Sequence, residues 1–212
     1  MNRPQRARPS LGTAERLATS LDALLSGRAV DRVWRPQHNQ LLIRFSGRDK
    51  RRLWIDLDND RPRWVLTLSW PENPDRPDDQ TLRLRAALEG WRIQGVTLEN
   101  ERAICVALQR SEERHTLHLQ MAGRYLNASV NGLDLDRPIA LLQDRPPTDA
   151  DSPALKPGPA IGASPDPDQW LDELQQQWSA QSAWLSFFRE QTELRRLLRE
   201  ALKRVERALG KI

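Results

Sequence analysis

Residues 70–93, WPENPDRPDDQTLRLRAALEGWRI, restrict the fold of this chain more than any other stretch. The residues leading to Trp70 alternate as a strand does. The Pro-Glu-Asn-Pro turn ends that strand, because proline cannot donate to a ladder. A short helical stretch at about 78–89 follows and carries Arg83 and Arg85. Gly90 stops it, and a new strand begins at once. One helix therefore sits between two runs of strands.

Both runs are legible by their period of two. Before the helix come Val30–Trp34, Gln40–Phe45, Arg52–Leu57 and Arg63–Trp70. After it come Arg92–Leu98, Arg102–Gln109, Thr116–Met121 and Arg124–Val130, with Asn131-Gly132 as a turn signal. A spacing of about ten residues indicates antiparallel meanders. A first helix is expected over 12–26, with Thr13 as N-cap, a stripe of Leu17, Leu21, Leu24 and Leu25, and Gly27 as its stop. The expected class is α+β, an antiparallel β-sandwich or barrel-like domain over residues 11–137.

The flanks differ in composition. Residues 1–10 form a basic arm, expected to be disordered. Residues 138–167 repeat proline and carry mostly aspartate as charge, which predicts a disordered linker. From 168 to 212 the period becomes helical, and Leu171, Leu174, Trp178, Leu185 and Phe188 follow one stripe. A lone amphipathic helix of this kind needs a partner. Another chain supplies it, or the sequence is the front part of a longer protein.

Charge and composition narrow the function. The formal net charge of +4 comes almost wholly from arginine and suits an anionic partner. Cys105 is the one cysteine, so no disulfide framework is expected, and its apolar neighbours predict a small core residue. No apolar run approaches the ~18 residues of a membrane span, and the N-terminus lacks a secretory core. A cytoplasmic location is expected. His115 and His118, three apart on a strand, fall on opposite faces, so neither a metal site nor a catalytic triad is expected. No cofactor is expected, and no Gly-rich phosphate loop is present.

Basic residues cluster at Arg28, Arg32, Arg35, Arg44, Arg48, Lys50, Arg51 and Arg52, against Asp31 and Asp49. Two readings are open: a phosphate-contacting surface, or a solvated edge kept charged against strand pairing. Trp34, Trp54, Trp64 and Trp70 lie in strands, where burial is expected; an exposed Trp beside Arg would be a base-stacking platform. Trp178 and Trp184 mark a helix seam or a docking face.

Several segments, in order, resemble the N-terminal domain of the NFACT family. That family includes RqcH-like ribosome quality-control factors and proteins once labelled fibronectin-binding protein A. The matching pieces are the Gly27-Arg28 helix exit with the strands at 30–45, the pair at 51–67, the Pro-Glu-Asn-Pro turn, and Arg85 to Gly90. Glu101-Arg102 stands where the family has Asp-Arg, and LQMAGRYLN at 119–127 resembles its Met-Gly-Arg-x-x-Asn turn. There are departures. Gln80-Thr81-Leu82 replaces Phe-Cys-Met, and Arg85-Ala86-Ala87 replaces Arg-Lys-His. The helix-hairpin-helix and C-terminal RNA-binding modules do not follow, and the coiled coil is one arm at most.

The resemblance implies a fold like formamidopyrimidine glycosylase, and a factor that binds tRNA and the large ribosomal subunit at obstructed translation complexes. The RNA-binding residues it points to, with the basic cluster, are Arg83, Arg85, Glu101, Arg102, Arg124, Arg35, Arg48, Arg51 and Arg52. Glu101 can orient Arg102 or accept from a ribose hydroxyl; an ordinary surface ion pair is the plainer reading. No enzyme activity is expected. A glycosylase would need an N-terminal proline amine, and here Met1 precedes Asn2 and Arg3. The remaining alternative is an interaction protein assembling through a coiled-coil partner at residues 168–212.

Overall fold

The computed structural model describes residues 9–48, 50–58, 63–68, 71–74, 76–122, 126–132, 135, 137–142, 154–160, 162, 164–180, 193, 196, 197 and 200. They fall into two units, one within residues 6–175 and one from 176 onward. The expected basic arm therefore lies almost wholly outside the described residues, as does Trp70.

The first unit opens with α1, Leu11–Leu25. Its N-cap is Ser10, whose hydroxyl accepts from the Thr13 N–H, and not Thr13 itself. The expected cap is three residues late: a cap serves the third residue of its helix, and Thr13 is that residue. Leu17, Leu21 and Leu25 are buried, while Leu24 is half-buried.

Four short strands follow: β1 (Val30–Trp34), β2 (Gln40–Phe45), β3 (Arg52–Asp56) and β4 (Arg63–Thr67). They pair antiparallel in sequence order. Next is α2, Asp79–Leu88, capped by the Asp78 carboxylate on the Thr81 N–H. A second antiparallel sheet comprises β5 (Arg92–Glu99), β6 (Ala103–Arg110), β7 (Glu113–Gln120), β8 (Ala128–Gly132) and β9 (Ile139–Ala140). Both sheets are open; among the described residues no barrel closes.

Two helix exits join the sheets. Gly27 and Gly90 end α1 and α2 at φ of 81° and 83°, a region that glycine enters without a Cβ penalty. The segments they release pair with each other: Gly27 N–H donates to Ile93 O, Ile93 N–H to Arg28 O, Val30 N–H to Trp91 O, and Gly90 N–H to Val30 O. The helix-Gly-strand pattern is thus used twice.

The core lies on one face of each sheet. Val33, Ile43, Leu53 and Leu66 form one cross-strand row, with Leu41, Ile55 and Trp64 beside it, all buried. In the second sheet Ile104, Val106, Leu108, Leu117 and Leu119 point inward. Trp91 is fully buried and stacks on His115 with ring centroids 3.6 Å apart. The His115 Nδ1–H donates to Ala87 O, which fixes α2 to β7.

Two expectations are corrected here. Asn131-Gly132 is not a turn: both residues extend β8, opposite Thr116 and His115, so ladder pairing overrides the local signal. The proline-rich segment is not an unstructured linker in its described parts. Residues 139–140 add a strand to the second sheet. Residues 154–160 lie against the start of α1, where Leu11 N–H donates to Lys156 O and Gly12 N–H to Gly158 O. A Cβ at Gly12 would come within 2.6 Å of Gly158 O, so only glycine permits this approach. Prolines that cannot donate leave carbonyls as acceptors for the unpaired N–H groups of a helix start.

A third helix, α3, runs over 167–180. Its first turns belong to the first unit, where Trp170, Leu171 and Leu174 are fully buried, and Arg16 lies 4.9 Å over the Trp170 ring. In the second unit, Trp184 and most of the expected helix lie outside the described residues. Residues 193, 196, 197 and 200 are helical, and Arg196 bridges Glu193 and Glu200. No described helix is long and apolar enough to cross a membrane.

Candidate nucleic-acid interface

The period of two that buries one face of the first sheet turns the other face outward. Register sorts its side chains into rows. Arg32, Arg44 and Arg52 are cross-strand neighbours. Trp34, Leu42, Trp54 and Val65 form the next row, and Gln40, Asp56 and Arg63 the third. Leu42 and Val65 are buried although they point away from the core. Trp34 and Trp54 flank them and are themselves only half-buried. Arginines close over this layer: Arg44 and Arg52 lie 5.4 and 4.5 Å from the Trp34 ring centroid, and Arg63 lies 5.2 Å from that of Trp54.

Three arginines side by side repel. The fold offsets this locally. Arg44 Nε donates to Asp31 at 2.5 Å, and Arg32 lies 3.7 Å from Glu89. Each indole face adds about 0.5–1 kcal/mol to a guanidinium above it at an exposed site. Burial first, and then the Arg44 charge, lower the pKa of Arg52, yet a guanidinium stays cationic at neutral pH. Beside the row is a depression of about 560 Å³, lined by Asp31, Arg44, Ser46, Gly47, Lys50 and Arg52. Guanidinium forks suit phosphate oxygens, and guanidinium planes suit stacked bases.

The sequence-predicted site residues divide. Arg52 belongs to this face, and exposed Arg48 lies on the neighbouring β2–β3 turn. Arg35 is a structural clasp, with Nη1 on Asp78 at 2.6 Å and Nε and Nη2 on His38 O. Arg51 pairs with Asp168 of α3 at 2.7 Å. Arg85 donates through Nε to Val33 O and lies 3.5 Å from Glu89, tying α2 to β1. Arg83 is exposed on α2. Glu101 and Arg102 sit in the β5–β6 turn, where Arg102 N–H donates to Glu99 O. That turn and the Gly90 exit of α2 are at opposite ends of β5, on the order of 25 Å apart at ~3.3 Å per residue. The structure therefore does not bring Glu101 and Arg102 together with Arg85. Arg124 lies outside the described residues.

The tryptophan expectation is corrected in part. Trp64 is fully buried, but Trp34 and Trp54 are not, because they stand on the outward phase of their strands. Arg44 belongs to the basic cluster seen in the sequence but not to the RNA-binding residues chosen from it, and Arg63 belongs to neither. Their signal lies in the phase: Arg32, Trp34, Arg44, Arg52, Trp54 and Arg63 share it once the hairpin registers are set.

A second grouping has no counterpart among the sequence expectations. On the outward face of the second sheet, Cys105 stands opposite His118, and Glu99 is diagonal to Cys105. The Cys105 thiol donates to Glu99 Oε2 at 2.9 Å and lies 3.2 Å from His118 Nδ1. His118 Nδ1 is 3.6 Å from the same carboxylate. Burial first, then the hydrogen bond and charge of Glu99, push the thiol pKa up. Cys105 is buried, as expected of a small core residue, and its thiol also meets the Glu99 and His118 side chains.

Comparison with known proteins gives the fold. No protein-family model matches the chain, and no characterised protein sequence does. Solved structures do. The N-terminal part of the fibronectin/fibrinogen-binding protein of Streptococcus suis aligns with a TM-score of 0.57 at 21% identity, over 74% of this chain and 61% of that structure. The N-terminal domain of the fibronectin-binding protein PavA of Streptococcus pneumoniae gives 0.57 and 21%, over 74% and 62%. The fibrinogen-binding protein of Staphylococcus aureus gives 0.53 and 18%, over 74% and 56%. The chain thus spans about three fifths of the structures it matches, and it shares the fold of their N-terminal domains.

Proposed function

We propose that this chain is the RNA-gripping module of an NFACT-type ribosome quality-control factor, holding tRNA against the large ribosomal subunit at obstructed translation complexes. The observation that carries the reading is the outward face of the first sheet, where Arg32, Arg44 and Arg52 form one cross-strand row, Arg44 and Arg52 lie over Trp34, and Arg63 lies over Trp54. The shared fold and the ordered NFACT-like motifs support it. Arg48, Lys50 and Arg83 extend the contact to phosphates. The chemistry is binding and positioning, without a hydrolytic or redox step.

Co-sedimentation with large ribosomal subunits, with and without peptidyl-tRNA, tests the proposal across a salt series. Salt-sensitive binding that is stronger to peptidyl-tRNA-loaded subunits is expected. A folded chain that ignores both subunit forms and free tRNA at low salt removes the proposal. The matched structures carry fibronectin and fibrinogen in their names, so immobilised fibronectin is the control surface.

A second reading concerns assembly. Leu197 lies on a helical segment and is 48% exposed, an apolar side chain that a coiled-coil partner through residues 168–212 would cover. Leu197→Asp abolishes self-association in sedimentation velocity if the partner is a second copy.

A further inference from the structure

We propose that Glu99, Cys105 and His118 form a binding site for a divalent transition metal ion of the Zn²⁺ type, with one coordination position open to solvent. The site lies on the outward face of the second sheet, so it is independent of the arginine face that carries the RNA reading.

Three different donors converge there from three adjacent strands: a carboxylate oxygen from β5, a sulfur from β6 and an imidazole nitrogen from β7. Their separations are 2.9 Å for S to O, 3.2 Å for S to N and 3.6 Å for N to O. A tetrahedral ion with Zn–S of ~2.3 Å and Zn–N or Zn–O of ~2.0–2.2 Å holds its donors roughly 3.3–3.6 Å apart. Two of the three separations fall on or near this range. The third needs the Glu99 carboxylate to retreat by several tenths of an ångström, and its side chain is 52% exposed, with room to turn. Ladder pairing fixes the backbone beneath the cluster, so no strand has to move.

The surroundings agree. Among the described residues no lysine or arginine lines this depression; beside the ligands are Gln94, Gly95, Thr97, Leu98, Ala107 and Thr116, of which four are small. Small side chains leave room above the three donors, so a fourth position is open to water or a ligand atom. Among the described residues, the Glu99 carboxylate interacts with Cys105 and His118, the other two members of the cluster. The donor set itself selects the ion: a thiolate and an imidazole suit Zn²⁺ or Co²⁺, whereas Mg²⁺ and Ca²⁺ require oxygens. On binding, three dative bonds form, the Cys105 proton leaves to solvent, and the thiolate and carboxylate neutralise the two positive charges.

Co²⁺ titration of the full chain tests the site. The expected result is one ion per chain, with tetrahedral d–d absorption and a thiolate-to-cobalt charge-transfer band, displaced by equimolar Zn²⁺ and not by excess Mg²⁺ or Ca²⁺. Cys105→Ser removes the charge-transfer band. Cys105→Ser, His118→Asn and Glu99→Gln each weaken Zn²⁺ binding by at least about 100-fold, beyond the ~10–100-fold that follows removal of a group supporting a ligand. His38→Gln, at an exposed histidine elsewhere, leaves binding unchanged. The absence of a charge-transfer band in the folded chain overturns the proposal. So does a band that persists in folded Cys105→Ser, or unchanged Zn²⁺ affinity in Glu99→Gln, whose exposed side chain can be replaced without loss of the fold.

Discussion

The two sheets solve the same packing problem and present opposite outward faces. Each turns one phase of its strands into the core. The first stacks arginine on tryptophan over its other phase, where Leu42 and Val65 are also buried and Thr67 accepts from Gln175 of α3. The second leaves its other phase low, with Gly95, Thr97, Ala107 and Thr116 around a Cys–His–Glu cluster. The strands differ as well: five or six residues in the first sheet, and eight in β5, β6 and β7 of the second. The inward phase sets the fold and tolerates little. The outward phase is where sheets of one architecture acquire different chemistry.

The largest test of that division uses one tryptophan from each phase. Trp91 is fully buried between His115 and Arg110, whose guanidinium lies 4.7 Å from its ring. Trp91→Ala should lower the unfolding free energy by about 3–5 kcal/mol. Trp34→Ala, on the outward phase, should lower it by only about 1–2 kcal/mol, from partial burial and the loss of guanidinium stacking. Urea unfolding followed by circular dichroism measures both. Equal losses would make Trp34 a core residue and end the contrast.

The second test separates the outward faces by ligand. Arg44→Glu combined with Arg52→Glu should weaken tRNA binding by at least about 10-fold and lower the salt slope by about 0.7–0.9 for each phosphate no longer neutralised. Thr116→Glu places a new negative charge on the other sheet and should change the affinity less than about 2-fold. Filter binding at several salt concentrations reads both. A comparable loss from Thr116→Glu would show that tRNA covers both faces.

Much of this architecture is legible in the chain, and the reasons differ by element. The strands declare themselves because Ile43, Leu53 and Val33 recur at a period that only a half-buried strand explains. The short helix declares itself through the Pro-Glu-Asn-Pro turn before it and the Gly90 stop. What stays hidden depends on register. Cys105 and His118 meet because a two-residue turn at Ser111-Glu112 pairs positions that sum to a constant, whereas the sequence pattern alone suggests a longer loop there. The docking of residues 154–160 on α1 is hidden for another reason. Composition reports that the segment cannot build its own core, and it is silent about carbonyls offered to a neighbouring helix end. Of the predicted site residues, Arg35, Arg51 and Arg85 clasp their own fold. Arginine in a basic run carries no local mark of whether its partner is inside or outside the molecule.

A third, smaller effect tests a pair of carboxylates in and beside the first sheet through opposite pH behaviour. Burial raises the Asp78 pKa, but the Thr81 hydroxyl and N–H and the Arg35 guanidinium outweigh it, so Asp78 is held below the ordinary carboxylate value. Its contribution is present above the unfolded pKa of ~3.9 and is lost as pH falls through the folded pKa. Burial holds Asp56 above the ordinary value against the hydrogen bonds from Asp58 N–H and Gln40. Its contribution is full below the unfolded pKa and is lost as pH rises through the folded one. Asp78→Ala removes cap and charge together and should cost about 1 kcal/mol at neutral pH. Asp78→Asn keeps the capping oxygen and should cost less than about 0.5 kcal/mol, since the ion pair with Arg35 is partly solvated. It should also flatten the acid limb of the stability profile. Asp56→Asn removes the opposite slope, so relative to the parent it gains stability as pH rises. Acid limbs that move the same way in both Asn variants would refute this assignment.

The smallest effect bears on whether the second sheet takes part in RNA binding at all. Asn100 and Glu101 occupy the β5–β6 turn with φ of 49° and 54°, and Arg102 N–H closes it on Glu99 O at 3.0 Å. Asn100 and Glu101 are the central positions of the turn that this bond closes, and two central positions with positive φ favour Asn followed by Gly. Asn100 obeys; Glu101 does not, and a non-glycine residue there stores about 1 kcal/mol of strain. Glu101→Gly releases that strain but gives the unfolded chain more freedom, worth roughly 0.5–1 kcal/mol. The net expectation is a gain of at most about 0.5 kcal/mol, read as a small rise in the urea midpoint. Strained side chains persist where something uses them. If Glu101→Gly is more stable and binds tRNA more weakly, the turn is part of the interface, and the two sheets share a ligand across their outward edges. If it is more stable with tRNA affinity intact, recognition belongs to the arginine face of the first sheet alone.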